Sequence, residues 1–124
     1  MPIRAADAGF ARRVAGLALL ASAFAVLAAA PRPAQASAEL AAKRNCLGCH
    51  HAVQRRAGPT LQAIAKRYNA IPDPKLREAA IDGLARKVRN GGRGAWGVVP
   101  MPGNSQVTEA ESKQLVLWIL EAHR

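Results

Sequence analysis

The sequence predicts an all-α domain of about four helices, with one long irregular loop before the last helix. No stretch beyond residue 36 alternates apolar and polar residues in the way that a half-buried strand does. Three segments instead repeat apolar residues every three or four positions, which is the spacing of one face of a helix. A residue that commonly caps helices stands in front of each of these segments.

The first 36 residues are predicted to be a secretory signal peptide. Three arginines form a basic start, and Val14 to Ala30 follow as seventeen residues without a charge. Ala34-Gln35-Ala36 is the small-residue pattern at which such signals are cleaved. We therefore expect a cleaved signal at 1–36, export to the periplasm, no stable membrane insertion after cleavage, and a single domain over 37–124. The alternative is a retained anchor, because seventeen apolar residues lie at the lower limit for spanning a bilayer.

Two helices are predicted in the first half of this domain. A short one covers Ala38 through Arg44. The second begins after Gly58-Pro59 with Thr60 as its cap, and it ends at Ile71-Pro72. Its buried face is predicted to consist of Leu61, Ile64, Ala65 and Tyr68.

Two further helices are predicted in the second half. Asp73-Pro74 is typical of a cap followed by proline at the first helical position, and Asn90-Gly91-Gly92 ends this helix. The loop from Gly91 to Val107 follows, and Thr108-Glu109-Ala110-Glu111 forms a capping box for the last helix. The buried stripes are predicted at Leu76, Ala80, Leu84 and Val88 in the first of these helices, and at Leu115, Trp118, Ile119 and Ala122 in the second.

The pentapeptide from Cys46 to His50, Cys-Leu-Gly-Cys-His, is the most specific chemical signal in the chain. Two thiols and an imidazole at this spacing form the c-type haem attachment motif. Cys46 and Cys49 are the only cysteines in the sequence, so two thioethers to one haem would use both, and His50 would ligate the iron. Two other uses stay open: a redox dithiol, which normally lies where a strand meets a helix, and part of a zinc site, which needs four ligands.

A six-coordinate haem iron needs a second axial ligand on the other face of the haem. In electron-transfer proteins this ligand is usually a methionine thioether. Met1 lies in the signal segment, which leaves Met101 as the candidate. Pro100 and Pro102 flank it and exclude a regular helix. The sequence therefore predicts a fixed loop that holds the Met101 sulfur against the iron.

The charge of the domain is strongly positive. Residues 37–124 carry fourteen Lys and Arg against seven Asp and Glu, a formal net charge of +7. These charges are either a solvated surface or a basic rim that steers a monomeric protein to acidic redox partners. Nucleic acid is excluded as a partner by the exported context and by the lack of a binding motif. No general base, nucleophile or open iron position is visible, so no enzymatic turnover is expected.

Several sequence features recur together in one family. They are the motif from Cys46 to His50, then Gly58-Pro59, then Arg89-Asn90-Gly91, then Gly94-Ala95-Trp96-Gly97 leading into Pro100-Met101-Pro102, and a terminal helix with Trp118. In these features the chain resembles the short bacterial class I cytochromes c, the monohaem type of denitrification and related respiratory chains. The resemblance covers essentially all of residues 37–124. It implies a small fold of about four helices wrapped around one haem, with a long loop for the methionine ligand.

The resemblance implies roles for the residues nearest the iron. Cys46 and Cys49 would form the thioethers to one haem c. His50 would be the proximal ligand of the iron and Met101 the distal one. Pro59 matches a proline whose carbonyl accepts a hydrogen bond from the ligand imidazole, which fixes the ring.

Further matches concern the surroundings of the haem. Asn104 matches an asparagine whose amide approaches the methionine sulfur, and Trp96 matches a tryptophan whose indole N–H reaches a haem propionate. Lys87 stands where the family commonly has an arginine directed at a propionate, and a lysine cannot reproduce a bidentate guanidinium contact. Gly103 stands where the family often has a second proline, which predicts a looser ligand loop.

The function that the resemblance implies is a one-electron carrier between respiratory-chain partners, in which iron cycles between its ferric and ferrous states and keeps both ligands. The alternative is a ligand-binding or peroxidatic haem protein in which Met101 is labile. The sequence feature that favours this alternative is Gly103, because it predicts a looser ligand loop. His51 is expected to be a solvent-facing neighbour of His50, with competition for the iron as its second possible role.

Overall fold

Five helices account for the regular secondary structure of residues 33–124, which are the residues that the computed structural model describes. The one β-type pairing within this range is an isolated antiparallel bridge between Gly92 and Met101. The all-α prediction is therefore confirmed, with a one-turn helix at the cysteines added to the four that the sequence predicts. The helices are α1 (Pro33–Lys43), α2 (Cys46–Cys49), α3 (Leu61–Asn69), α4 (Pro74–Asn90) and α5 (Glu109–Ala122).

Helix α1 is longer than the predicted Ala38 to Arg44 segment, because it begins at Pro33. Proline suits the first helical position, and the alanine-rich sequence that follows favours a helix. The predicted cleavage point after Ala36 thus falls within α1, whereas the predicted apolar segment Val14 to Ala30 lies outside the described residues. Across residues 33–124, no helix is both long enough and apolar enough to cross a membrane.

The three predicted caps are confirmed. The Thr60 hydroxyl accepts a hydrogen bond from the Ala63 amide at 3.0 Å, which caps α3. The Asp73 carboxylate accepts two backbone N–H bonds in the first turn of α4, at 2.8 and 3.0 Å. At α5 the Thr108 hydroxyl accepts from the Glu111 amide at 3.2 Å while the Glu111 carboxylate accepts from the Thr108 amide at 2.8 Å.

Helix α5 lies at the centre of the packing and contacts α1, α3 and α4. Its buried residues belong to two apolar clusters, Val116 and Leu120 to the first and Leu115 to the second. The half-buried Val88 of α4 packs against both clusters. Cys46 and Leu47 pack against the second cluster, which fixes the position of the cysteine helix. The buried members are Ala65, Ala85, Val116 and Leu120 in the first cluster, and Ala41, Val107 and Leu115 in the second.

Two of the predicted buried positions are wrong. Leu76 is 64% exposed, because positions four apart drift by about 40° at each step around a helix with 3.6 residues per turn. After the three steps from Val88 back to Leu76, the stripe has left the core side of α4. Ala122 is likewise exposed in α5, where Val116 and Leu120 are buried instead.

Candidate functional site

The two cysteines lie one helical turn apart in α2, with half-buried Cys46 packed on the core and Cys49 exposed. Asn45, in the left-handed conformation at φ 56°, turns the chain between α1 and α2. Burial raises the pKa of the Cys46 thiol above its ordinary value. A thiol that acts as a redox nucleophile needs a lowered pKa, so the surroundings of Cys46 do not favour it in that role.

The imidazole of His50 is held by the turn at Gly58 and Pro59. Its Nδ1 lies 2.8 Å from the Pro59 carbonyl oxygen, the acceptor that the resemblance names. A carbonyl only accepts, so Nδ1 carries the proton and the lone pair is on Nε2. The ring also lies against Gly58, where an added Cβ would come within 2.5 Å of it. The ring is therefore oriented with Nε2 as the nitrogen available to bind a metal.

His51 has a structural role that the sequence did not indicate. Its Nδ1 accepts hydrogen bonds from the backbone amides of Val53 and Gln54, at 3.3 and 3.1 Å. Its carbonyl accepts from the Leu61 amide at 3.0 Å, which joins this segment to the start of α3. The half-buried ring thus caps the turn after the haem motif, and Nδ1 is not free to compete for iron.

The backbone around Met101 is fixed from both sides. Met101 exchanges two hydrogen bonds with Gly92, at 2.8 Å from its N–H and 2.9 Å to its carbonyl. Gly91 has φ 75° and ψ −167°, a conformation that is essentially restricted to glycine, and a Cβ there would lie 2.5 Å from the Met101 carbonyl oxygen. The loop and the end of α4 thus touch backbone to backbone.

Gly103 lies in the same close contact. A Cβ there would come within 2.7 Å of the Arg89 carbonyl oxygen in the last turn of α4. The sequence predicts a looser ligand loop at this position, but in the structure Gly103 allows the loop to pack tightly on α4.

Asn104 connects the methionine loop to the cysteine segment. Its side-chain amide donates to the Arg44 carbonyl at 3.3 Å, and its backbone amide donates to the Val88 carbonyl at 3.0 Å. Arg44 in turn forms an ion pair with Glu111 at 3.2 Å. The hydrogen bond from Thr108, followed by that from Arg44, lowers the pKa of the Glu111 carboxyl. The approach of the Asn104 amide to the methionine sulfur stays a prediction.

Trp96 lies under the guanidinium of Arg67, whose central carbon is 4.8 Å from the centre of the indole ring. Arg67 also donates a hydrogen bond to the Ala95 carbonyl at 2.8 Å. The side chain of Lys87 extends over Gly92, the residue whose backbone pairs with Met101. A Cβ added at Gly92 would lie 3.6 Å from the Lys87 Nζ. Contacts of Trp96 and Lys87 with haem propionates stay predictions.

The surface formed by these loops is apolar and basic. Val98 is 92% exposed and Val99 62%, both directly before the Pro100-Met101 pair, and Val53 is 65% exposed in the segment after His50. Arginines 55, 56, 67 and 93 are exposed on the same loops or on the neighbouring helix. The region that carries the candidate ligands therefore combines solvent-exposed valine side chains with positive charge.

The donor set fits one haem c. Two thiols on one helical turn precede an imidazole whose Nε2 lone pair is free, and a thioether is carried by a separate fixed loop. Over residues 33–124 no group of three or more His, Cys, Asp or Glu side chains is arranged to hold a metal ion, whereas a structural zinc site needs four ligands.

Comparison with known proteins agrees with this chemistry. The sequence profile of the family described as "Cytochrome c" matches residues 34–123. The chain is 42% identical over 85 residues to cytochrome c-552 of Hydrogenobacter thermophilus, covering 68% of this chain and 80% of that protein. It is 41% identical over 98 residues to cytochrome c-551 of Allochromatium vinosum, covering 79% and 97% respectively.

The fold gives the same result. The crystal structure of wild-type Nitrosomonas europaea cytochrome c552 superposes with a TM-score of 0.61 and 39% sequence identity, covering 70% of this chain and 99% of that one. The chain therefore belongs to the cytochrome c family, among its small class I members, which carry one covalently bound haem c.

Proposed function

We propose that this cytochrome is a periplasmic electron carrier in which His50 and Met101 ligate the haem iron and both stay bound in each oxidation state. The haem supplies a one-electron ferric/ferrous couple. Cys46 and Cys49 tether it, and the Pro59 carbonyl holds the imidazole through its Nδ1–H at 2.8 Å. Thioether ligation and burial of the haem both disfavour the ferric charge, so we expect a fairly high potential.

The observation that carries the proposal is the backbone pairing of Met101 with Gly92, at 2.8 and 2.9 Å. A carrier transfers electrons quickly when its ligands do not rearrange, and a paired backbone that packs against α4 favours such a fixed ligand. The same pairing, together with the close contact at Gly103, disfavours the alternative of a labile Met101 in a ligand-binding or peroxidatic protein.

The partners that suit this surface are acidic redox proteins. Exposed arginines around the valine surface would steer association, and Val98 and Val99 offer an apolar contact that brings the two redox centres close. We expect association to weaken as salt rises, and more so for the parent protein than for Arg55→Gln or Arg56→Gln variants.

The test is an absorption spectrum of protein produced with the c-type haem attachment machinery, recorded oxidised, reduced, and reduced under carbon monoxide. The parent should be low-spin in both states and unaffected by carbon monoxide. Met101→Ala should bind carbon monoxide, whereas His51→Ala, which removes a turn cap beside the other ligand but no proposed ligand, should stay unaffected by carbon monoxide. Carbon monoxide binding by the parent would contradict a closed carrier, and protein without haem would contradict the proposed cofactor site.

Export has its own test. Expression of the whole chain with the attachment machinery should yield haem protein in the periplasmic fraction, and its mass should correspond to residues 37–124 plus one haem. A full-length, membrane-bound product would instead support the retained anchor.

A further inference from the structure

We propose that Arg67 is a positioning residue for the loop that carries Met101, because its guanidinium clamps Trp96 and Ala95 of that loop onto α3. This inference rests on the proposed ligation of iron by Met101. Arg67 is not expected to touch the iron, and it acts through Trp96.

Three contacts of one side chain support the clamp. The guanidinium carbon of Arg67 is 4.8 Å from the centre of the Trp96 ring and 5.7 Å from that of Tyr68, both within the range of cation–π attraction. An N–H of the same guanidinium donates to the Ala95 carbonyl at 2.8 Å. Arg67 therefore binds the loop both by a ring face and by a backbone carbonyl.

The clamp is anchored on a rigid part of the fold. Arg67 lies in the last turn of α3, and the adjacent Tyr68 packs against the core cluster that contains Ala65 and Leu120. The α3 helix also contacts α5 directly. A contact made by Arg67 thus connects the loop to the core of the protein.

The loop has few other attachments in this part. Between Trp96 and Met101, Val98 is 92% exposed and Val99 is 62% exposed. The other side-chain hydrogen bond that reaches this stretch in residues 33–124 runs from Arg55 to the Trp96 carbonyl, at a long 3.5 Å. From Met101 onward the loop is held on α4 by the close contact of Gly103 with the last turn of that helix. On the Trp96 side, Arg67 is therefore the main anchor of the loop.

The two contacts suit arginine better than lysine. A planar guanidinium stacks on an indole and still directs an N–H at a carbonyl in its own plane, whereas a lysine ammonium is a compact point charge that does not stack. Lysine at position 67 would keep the charge and lose the clamp, so the conservative variant separates the two effects.

The experiment compares the haem-loaded parent with Arg67→Gln, Arg67→Lys and the matched control Arg93→Gln. Arg93 is an exposed arginine of the same loop, and no side-chain hydrogen bond or ion pair in residues 33–124 involves it. Two quantities are measured: hydrogen exchange of the Gly94 and Met101 amides, which donate to the Gly97 and Gly92 carbonyls, and the rate at which imidazole binds the ferric iron, which requires Met101 to leave.

Both Arg67 variants should exchange the Gly94 and Met101 amides at least tenfold faster and bind imidazole about tenfold faster than the parent, with Arg93→Gln within twofold of it. In a Trp96→Leu background, the further loss of Arg67 should change either rate less than it does in the parent, because only the hydrogen bond to the Ala95 carbonyl is left to lose. Hydrogen exchange elsewhere in α3 and α5 reports whether a variant is folded.

Parent-like rates in Arg67→Gln would overturn the proposal. Equal effects of Arg67→Gln and Arg93→Gln would also overturn it, because the loss of one positive charge would then explain both. Restoration of parent rates by Arg67→Lys would also overturn it. Failure of the proposed function is distinguishable: the parent itself would then lack methionine ligation in its ferric spectrum, while hydrogen exchange would still test the clamp.

Discussion

Replacing Gly91 by alanine is the most direct test of how the methionine loop is held. Gly91 has φ 75° and ψ −167°, and an alanine Cβ would lie 2.5 Å from the Met101 carbonyl oxygen. Both the residue conformation and the close contact oppose a side chain. The change therefore perturbs the loop at the atom that pairs Met101 with the end of α4.

The magnitude follows from these two effects. Holding a non-glycine residue in so sparsely populated a conformation costs about 1–3 kcal/mol. Forcing a methyl group into a close backbone contact costs about as much again, roughly 1–3 kcal/mol. The free energy of unfolding of Gly91→Ala should then fall by about 2–6 kcal/mol, which lowers Tm by roughly 10–50 °C for a domain of this size.

The assay is thermal and urea unfolding of the oxidised haem protein, followed by circular dichroism and by the absorption band of methionine-ligated ferric haem. Two other glycines serve as controls. Gly94→Ala has φ 90° but nothing within 4 Å, so it should show the conformational cost alone. Gly83→Ala lies inside α4, where its nearest neighbour is 3.9 Å away, and it should stabilise the protein by about 0.5–1 kcal/mol.

The ranking of the three variants decides the matter. If Gly91→Ala unfolds within about 0.5 kcal/mol of the parent, the close packing of the loop on α4 does not hold the methionine in place. If Gly94→Ala is as damaging as Gly91→Ala, backbone conformation alone explains the loss, and the contact with Met101 is irrelevant.

Three further predictions concern the helices. Thr108→Ala removes the cap of α5 and should cost about 1 kcal/mol in urea unfolding; no change in the midpoint would mean that the capping box contributes nothing. Leu115→Ala, at a site 2% exposed, should cost about 2–5 kcal/mol by the same measurement, and a smaller loss would show that the core collapses around the cavity. Because the pKa of Glu111 is lowered on folding, the stabilisation is present above its ordinary value of 4.5 and is lost as the pH falls through the lower folded pKa. Urea titrations across that range should show a flatter pH dependence for Glu111→Gln, and curves that stay parallel would contradict this assignment.

Local signals in the sequence predicted most of the secondary structure. The caps at Thr60, Asp73 and Thr108 depend on side chains within three residues of the amides they bind, so sequence spacing alone reveals them. The predicted face of α3 is also confirmed, because Leu61 and Ala65 are buried. Leu76 was mispredicted because a stripe at steps of four was extended over too many turns.

The arrangement around the site depended on contacts that no local pattern encodes. The pairing of Met101 with Gly92 joins two backbones, and any residue type offers the same N–H and carbonyl groups. The contact of the Arg67 guanidinium with the Trp96 ring joins a helix and a distant loop, and the sequence shows Arg67 only as one of fourteen positive charges in residues 37–124. Chemically distinctive residues such as Cys46 and His50 could be identified from their types and spacing, whereas the groups that hold them could not.

The attachment of Asn104 to the Arg44 carbonyl bears on the order in which the protein is assembled. That contact spans 60 positions in sequence, and the ion pair of Arg44 with Glu111 spans 67. The apolar partners of Cys46 likewise come from Val107 and Leu115. Since a chain is made from its N-terminus, Cys46 emerges well before the residues that pack against it. The chain thus passes through an interval in which the Cys46 thiol is as exposed as that of Cys49, and an enzyme that forms thioethers has this interval in which to reach both.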